Sequence, residues 1–303
     1  MLSRTPILVI ASEASSLKER KKTVDLHLHK FNFACQQFGL RTLSWHIQSS
    51  YPTFQDIEKA ETFRQRSGSS LIIGVGSGAA IDLAKSVGAE CQPDGLILVP
   101  GTSAAVLASC TDFSLLLDTR EETIATQDTP LAGATVVVDP QSILHHPNND
   151  VVRLACLSIL LDTARYSQPH RASEVQPIIS ELQCDDVDLL DALQQTAHFL
   201  STGQGRHGSL RNAPLALATS LIPPAFSSTH ILEFWASLVP SLVSNTEVKM
   251  SLTEKAPPLA SLALNAPSMS GLIDHVRSNQ ASCNALDVDT SILEYILASS
   301  LNR

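Results

Sequence analysis

The chain has 303 residues, of which 44% are hydrophobic and 17% charged, and a formal net charge of −9. That balance is too apolar for a disordered chain and too acidic for a protein built around nucleic acid or an anionic membrane surface, while the length allows two domains and a sizeable core. No apolar run reaches bilayer length, no leader pattern is expected at the N-terminus, and the six scattered cysteines form no CxxC pair, so a reduced, cytoplasmic protein is expected.

Pro6-Ile7-Leu8-Val9-Ile10 is a compact apolar run of the kind that forms a buried parallel strand. A charged, helix-favouring stretch follows from Ser15 to Phe38, closed by Gly39; its basic cluster Lys18–Lys22 reads as a solvated helix face. Arg41–His46 is predicted as a second strand, and Pro52 opens a polar, periodic helix over Thr53–Arg66 with Gly68 near its end. Leu71-Ile72-Ile73 then enters the turn Gly74-Val75-Gly76-Ser77-Gly78, with a helix from Ala79 to Val87. Strand Leu96–Val99 runs into Pro100-Gly101-Thr102-Ser103, and strand Ala134–Val138 ends at Asp139-Pro140. Apolar strands alternating with amphipathic crossovers predict a parallel sheet covered on both faces. From Asn149 on, Leu and Ala at helical spacing dominate, broken at Pro169, Gly203–Gly208, Pro223-Pro224 and Pro257-Pro258. The fold class expected is an α/β N-terminal domain with a parallel sheet over residues 1–147 and an all-α C-terminal domain over 148–303.

The most informative stretch is Leu71 to Lys85 (LIIGVGSGAAIDLAK). A turn of tiny residues between a strand and a helix lets backbone N–H groups approach a pyrophosphate at the positive end of the helix dipole. The spacing is not GxGxxG, and a tight turn that needs glycine only for its φ angles is an equal reading of the same residues. Asp82, placed in the helix's first turn, would favour the dipole whatever its role; Lys85 could pair with Asp82, point to solvent or serve the ligand.

These residues resemble the glycine motif of the iron-containing alcohol dehydrogenase and dehydroquinate synthase-like superfamily, in which Asp and Lys follow on the helix. Val99–Ser103 (VPGTS) resembles that superfamily's Pro-Thr-Thr turn, Ala134–Pro140 (ATVVVDP) the strand closing its first domain, and Leu144–Pro147 followed by Asp162 continues the order. The likeness is strongest over residues 70–165 and leans to the alcohol dehydrogenase and maleylacetate reductase branch. It implies an NAD or NADP cofactor, with Gly76, Ser77 and Gly78 facing its phosphates, Asp82 and Lys85 on the supporting helix, and Thr102 and Ser103 at the pyrophosphate or nicotinamide side.

The chain also departs from the family. The family's metal is held by an Asp and a His four residues apart on one helix and by two later histidines; here Asp162 is followed at that spacing by Tyr166, and the later region offers only His230. A phenol must lose its proton to bind Zn²⁺ or Fe²⁺, and two ligands are too few for a tight catalytic site, so no metal is expected. At the end of the second strand, His46 or a neighbour stands where the family often holds an Asp for the adenosine ribose; without it the 2′-phosphate of NADP is not excluded. Ala104–Ala108 is apolar where the family continues with a polar segment.

Other constellations carry less. His27 and His29 lie on different helix faces, His145-His146 reads as an exposed turn, Gly203–Gly208 as a lid or a helix connection, and Cys110 and Cys156 as core thiols. The function expected is an NAD(P)-dependent oxidoreductase acting on a small alcohol, carbonyl or enone-like substrate in the interdomain cleft. Asp162, Tyr166 and His230 would orient the substrate, with Tyr166 or His230 as proton donor. The alternatives are a repurposed metal-free, non-redox enzyme on the same fold, or a pseudoenzyme that binds a partner. The partners expected are a small-molecule substrate and a second copy of the chain in a homodimer; nucleic acid and membrane are not expected.

Overall fold

A computed structural model of the chain describes residues 5–12, 28–29, 31–49, 51–89, 95–109, 113–117, 124–129 and 134–137, together with 153–154, 156–157, 160, 176–180, 182, 191 and 236. Contacts divide the chain into two compact units, Met1–His145 and His146–Arg303.

Strand β1 (Ile7–Ser12) is buried at every position. Its alternate side chains enter two separate cores. Leu8 and Ile10 pack with Ile72, Leu98 and the residues 79–87 of a helix, while Ile7, Val9 and Ala11 pack with Ile73, Val75, Leu28 and Cys35. A strand buried on both faces has no solvated side to mark with polar residues, which is why it reads as a continuous apolar run. Strand β2 (Thr42–Ile47) pairs with one edge of β1, and β3 (Leu71–Gly76) with the other. Strand β4 (Leu96–Pro100) continues the sheet beyond β3. The pairing extends past the apolar run expected for the first strand, through Ala11 opposite His46 and Ser12 opposite Ile47.

Helix α1 (Phe54–Ser67) begins at a capping box: Thr53 Oγ1 accepts from the Asp56 N–H at 3.1 Å, and the Asp56 carboxylate accepts from the Thr53 N–H at 2.9 Å. It ends at Gly68 in the left-handed conformation. Helix α2 (Gly78–Gly88) is different in kind, because all eleven of its residues are buried. Helix α3 (Ser103–Ala108) is a short turn after β4.

Strands β5 (Phe113–Leu117) and β6 (Ile124–Asp128) form an antiparallel pair that the sequence reading does not anticipate. The pair packs on α2: Ser114 Oγ donates to the Asp82 carbonyl at 3.0 Å and is 3.1 Å from Thr129 Oγ1. Leu117 N–H donates to the Pro52 carbonyl at 2.9 Å, joining the pair to the start of α1. Thus α2 lies between the sheet and a two-stranded cover, which accounts for its burial on all sides. A short strand β7 (Thr135–Val136) closes the five-stranded parallel sheet, in the order β2-β1-β3-β4-β7.

In the second unit, every described residue is helical. No helix among the described residues is long and apolar enough to cross a membrane.

Candidate functional site

The strand order places β2 on one side of β1, and β3 followed by β4 on the other. The chain therefore leaves the carboxyl ends of β1 and β3 in opposite directions, opening a crevice of the kind in which α/β proteins bind ligands. Ser12 ends β1 at this point, and Gly76 ends β3.

The two strand ends are joined. Ser77 N–H donates to Ser12 Oγ at 2.9 Å. Gly76 has φ +114, a conformation costly for any residue with a Cβ, and a Cβ there would lie 2.8 Å from Ser12 Oγ. The Gly76 carbonyl accepts from Gly101 N–H at 2.7 Å, which ties in the turn after β4. There Thr102 caps α3: its Oγ1 accepts from Ala105 N–H at 3.1 Å, and its carbonyl from Val106 N–H at 3.0 Å. Ser103 is the first residue of α3.

Ser77 is the N-cap of α2, in an extended conformation, and its side chain makes no capping bond. The first helical hydrogen bond runs from Ile81 N–H to the Ser77 carbonyl at 3.1 Å. Four N–H groups at a helix start lack intrahelical acceptors. Here Ser12 satisfies that of Ser77, whereas those of Gly78, Ala79 and Ala80 meet no acceptor among the described residues. All three of these residues are buried. Buried donors without acceptors, at the positive end of a helix and at the edge of the crevice, match an anionic group such as a phosphate. The residues present therefore fit a dinucleotide's phosphates.

Asp82 and Lys85 sit deeper. No acidic residue occupies the first turn of α2, so the expectation that Asp82 meets the dipole there is corrected: it stands one turn on, under the β5–β6 pair. Asp82 Oδ1 and Lys85 Nζ are 3.3 Å apart with both side chains nearly inaccessible, and Lys85 Nζ also donates to the Ala108 carbonyl at 2.8 Å. Of the roles open to Lys85, pairing with Asp82 is the one seen. Burial raises the Asp82 carboxyl from 3.8 to about 6, against the opposing pull of the Lys85 charge and of hydrogen bonds from Lys85 and the Leu115 N–H. Burial also pushes the Tyr51 phenol up, helped by the Asp82 charge. The pair links α2 to β5 and to the end of α3, and so braces the turns that carry Ser77 and Thr102.

His46 is exposed on β2 opposite Ala11, and residues 42–49 contain no carboxylate at that end of the sheet. Ser12 and Tyr51 were not singled out from the sequence. For Ser12 the available signal was a small polar residue directly after an apolar strand. Asp162, Tyr166, His230, His145, His146 and residues 203–208 lie outside the described residues. Among the described residues, no three His, Cys, Asp or Glu side chains cluster as a metal site would require.

Residues 8–147 match the model of a family described as iron-containing alcohol dehydrogenase. No curated protein matches the chain. Among solved structures, the chain is similar to NADH-dependent butanol dehydrogenase A from Thermotoga maritima, with 11% identity, a TM-score of 0.70, and coverage of 98% of this chain and 91% of the other. A probable glycerol dehydrogenase from Sinorhizobium meliloti 1021 has 12% identity and a TM-score of 0.68, covering 98% and 90%. Maleylacetate reductase from Agrobacterium tumefaciens has 14% identity and a TM-score of 0.65, also covering 98% and 90%. At these identities the structural likeness speaks for the fold. Residues 8–147 thus resemble the iron-containing alcohol dehydrogenase family, and over nearly its whole length the chain has the fold of these solved dehydrogenases and reductase.

Proposed function

We propose that the protein is a cytoplasmic NAD(P)-dependent oxidoreductase that moves a hydride between the nicotinamide and a small alcohol, carbonyl or enone-like substrate, without the family's catalytic metal. The observation that carries the cofactor reading is the trio of N–H groups of the buried residues Gly78, Ala79 and Ala80, without acceptors among the described residues, at the edge of the crevice between β1 and β3. In this reading Gly76, Ser77 and Gly78 shape the cradle, Thr102 and Ser103 border it, and Asp82 and Lys85 hold its helix in place. The bound nicotinamide supplies the hydride chemistry; the chain's part is to bind and orient it. With no carboxylate on residues 42–49 to repel a 2′-phosphate, NADP is not excluded and the cofactor is NAD or NADP.

The metal-free reading rests on the donor set. Tyr166 stands where a histidine is needed beside Asp162, and His230 is the sole later candidate, so the residues present do not suit a divalent ion. Asp162, Tyr166 and His230 are assigned to orient the substrate, and Tyr166 or His230 to give the proton that accompanies hydride transfer to a carbonyl. The active form in this reading is a homodimer whose ligands are small molecules, with an α-helical domain over residues 148–303.

The same donor set favours, as a second reading, a metal-free non-redox reaction on this scaffold. Protein treated with chelator, supplied with NADH or NADPH and a panel of short-chain aldehydes, ketones and enones, separates the two. Nicotinamide oxidation that survives chelation and falls in Tyr166→Phe or His230→Ala is expected. Nucleotide binding without hydride transfer to any member of the panel would favour the second reading.

A further inference from the structure

Glycine at position 76 has a neighbour that explains it. The space beside its Cα is filled by Ser12 Oγ, which would be 2.8 Å from an added Cβ. Ser12 is itself 4% exposed, and its hydroxyl accepts the Ser77 N–H at 2.9 Å across a separation of 65 residues in sequence. The same contact therefore accomplishes two things: it holds the glycine turn against the end of β1, and it satisfies the first of the four N–H groups at the start of α2. The remaining donors belong to Gly78, Ala79 and Ala80.

We infer that Ser12 is a positioning residue for the ligand's phosphates: by taking the Ser77 N–H it locks the turn and shifts the phosphate-binding donors one residue into the helix, onto Gly78–Ala80. This rests on the dinucleotide reading above. Ser12 acts through Ser77 rather than by touching the nucleotide. The lock fixes the direction of the donors before any ligand arrives, so the ordering cost of the turn is not charged to binding. A turn without it would be free to rotate the Ser77 peptide, and the three donors would no longer be held in one direction.

Two measurements on the full chain test this. The first is hydrogen exchange of the Ser77 amide without ligand: protected in the wild type, exchanging fast in Ser12→Ala, and protected again in Ser12→Thr, which keeps the hydroxyl. The second is the dissociation constant for NADH and NADPH, expected to weaken roughly three- to tenfold in Ser12→Ala, as for loss of one ordering hydrogen bond, and to recover in Ser12→Thr. Melting of each variant shows that it is folded. If the wild type binds nucleotide and Ser12→Ala binds it as tightly or more tightly, or if the Ser77 amide is equally protected in both, the positioning role is overturned while the cofactor reading stands. If the wild type binds neither nucleotide, the cofactor reading fails and this inference fails with it.

Discussion

A lysine ammonium with almost no solvent contact is tolerable only when its charge is answered on site. Lys85 has the Asp82 carboxylate at 3.3 Å and the Ala108 carbonyl at 2.8 Å. Deleting the carboxylate leaves that buried charge without its counter-ion, so Asp82→Ala is expected to destabilise the protein by about 3–5 kcal/mol in denaturant unfolding. The pH dependence has a definite sign. Because the Asp82 carboxyl is raised from 3.8 to about 6 in the folded protein, the native state holds this proton more tightly than the unfolded chain does. Its contribution to stability is complete below 3.8 and is lost as pH rises through about 6. Across that window, the stability difference between wild type and Asp82→Asn is expected to move in favour of the Asn variant. A difference independent of pH would show that burial does not govern this carboxyl.

At the level of elements, the packing of α2 on β3 depends on one missing side chain. A Cβ on Gly74 would meet the Ala84 Cβ at 2.6 Å, so the helix sits closer to the strand than any larger residue permits. Gly74→Ala should cost about 1–3 kcal/mol through overpacking, and Ala84→Gly in the same chain should recover part of it despite its own helix penalty of about 1 kcal/mol. Additive losses in the double variant, measured by denaturant unfolding, would contradict this contact. The elements that the sequence disclosed are those whose signals are local. Ile7–Ile10, Leu71–Ile73 and Leu96–Val99 read as strands because burial on both faces leaves them uniformly apolar, and Thr53 and Gly68 bound α1 by their own capping chemistry. The β5–β6 pair escaped because Phe-Ser-Leu-Leu-Leu and Ile-Ala-Thr-Gln-Asp neither alternate nor flank a turn dipeptide. Its register and cover come from contacts with α2 and Pro52, which are distant in sequence. The burial of Asp82 was hidden for the same reason, since the cover that buries it was not foreseen. Of the site, the glycine turn and Thr102 were legible as motifs, whereas Ser12 became visible only when the parallel pairing of β1 and β3 brought residues 65 apart together.

For the whole molecule, the fold is that of the solved dehydrogenases, and the proposed function differs from the family resemblance in dispensing with a metal. If the proposed metal-free reading holds, protein purified and dialysed without chelator is expected to carry far less than one equivalent of zinc or iron, since one Asp and one His are too few ligands for a tight site. Near-stoichiometric metal by elemental analysis, lost together with activity in Asp162→Ala, would overturn the metal-free reading.

In the proposed function, the crevice holds a dinucleotide on the first turn of α2. Calorimetric titration of NADH and NADPH into the wild type and Gly76→Val tests it most directly. Valine at φ +114 is strained, at a cost of about 1–3 kcal/mol, and its Cβ displaces Ser12, so the turn is lost while the sheet and helices remain. The wild type is expected to bind at least one of the two nucleotides and to melt at a temperature that rises with nucleotide concentration, while folded Gly76→Val does neither. Wild-type protein that binds neither nucleotide at millimolar concentration, or a folded Gly76→Val that binds as the wild type does, would contradict it.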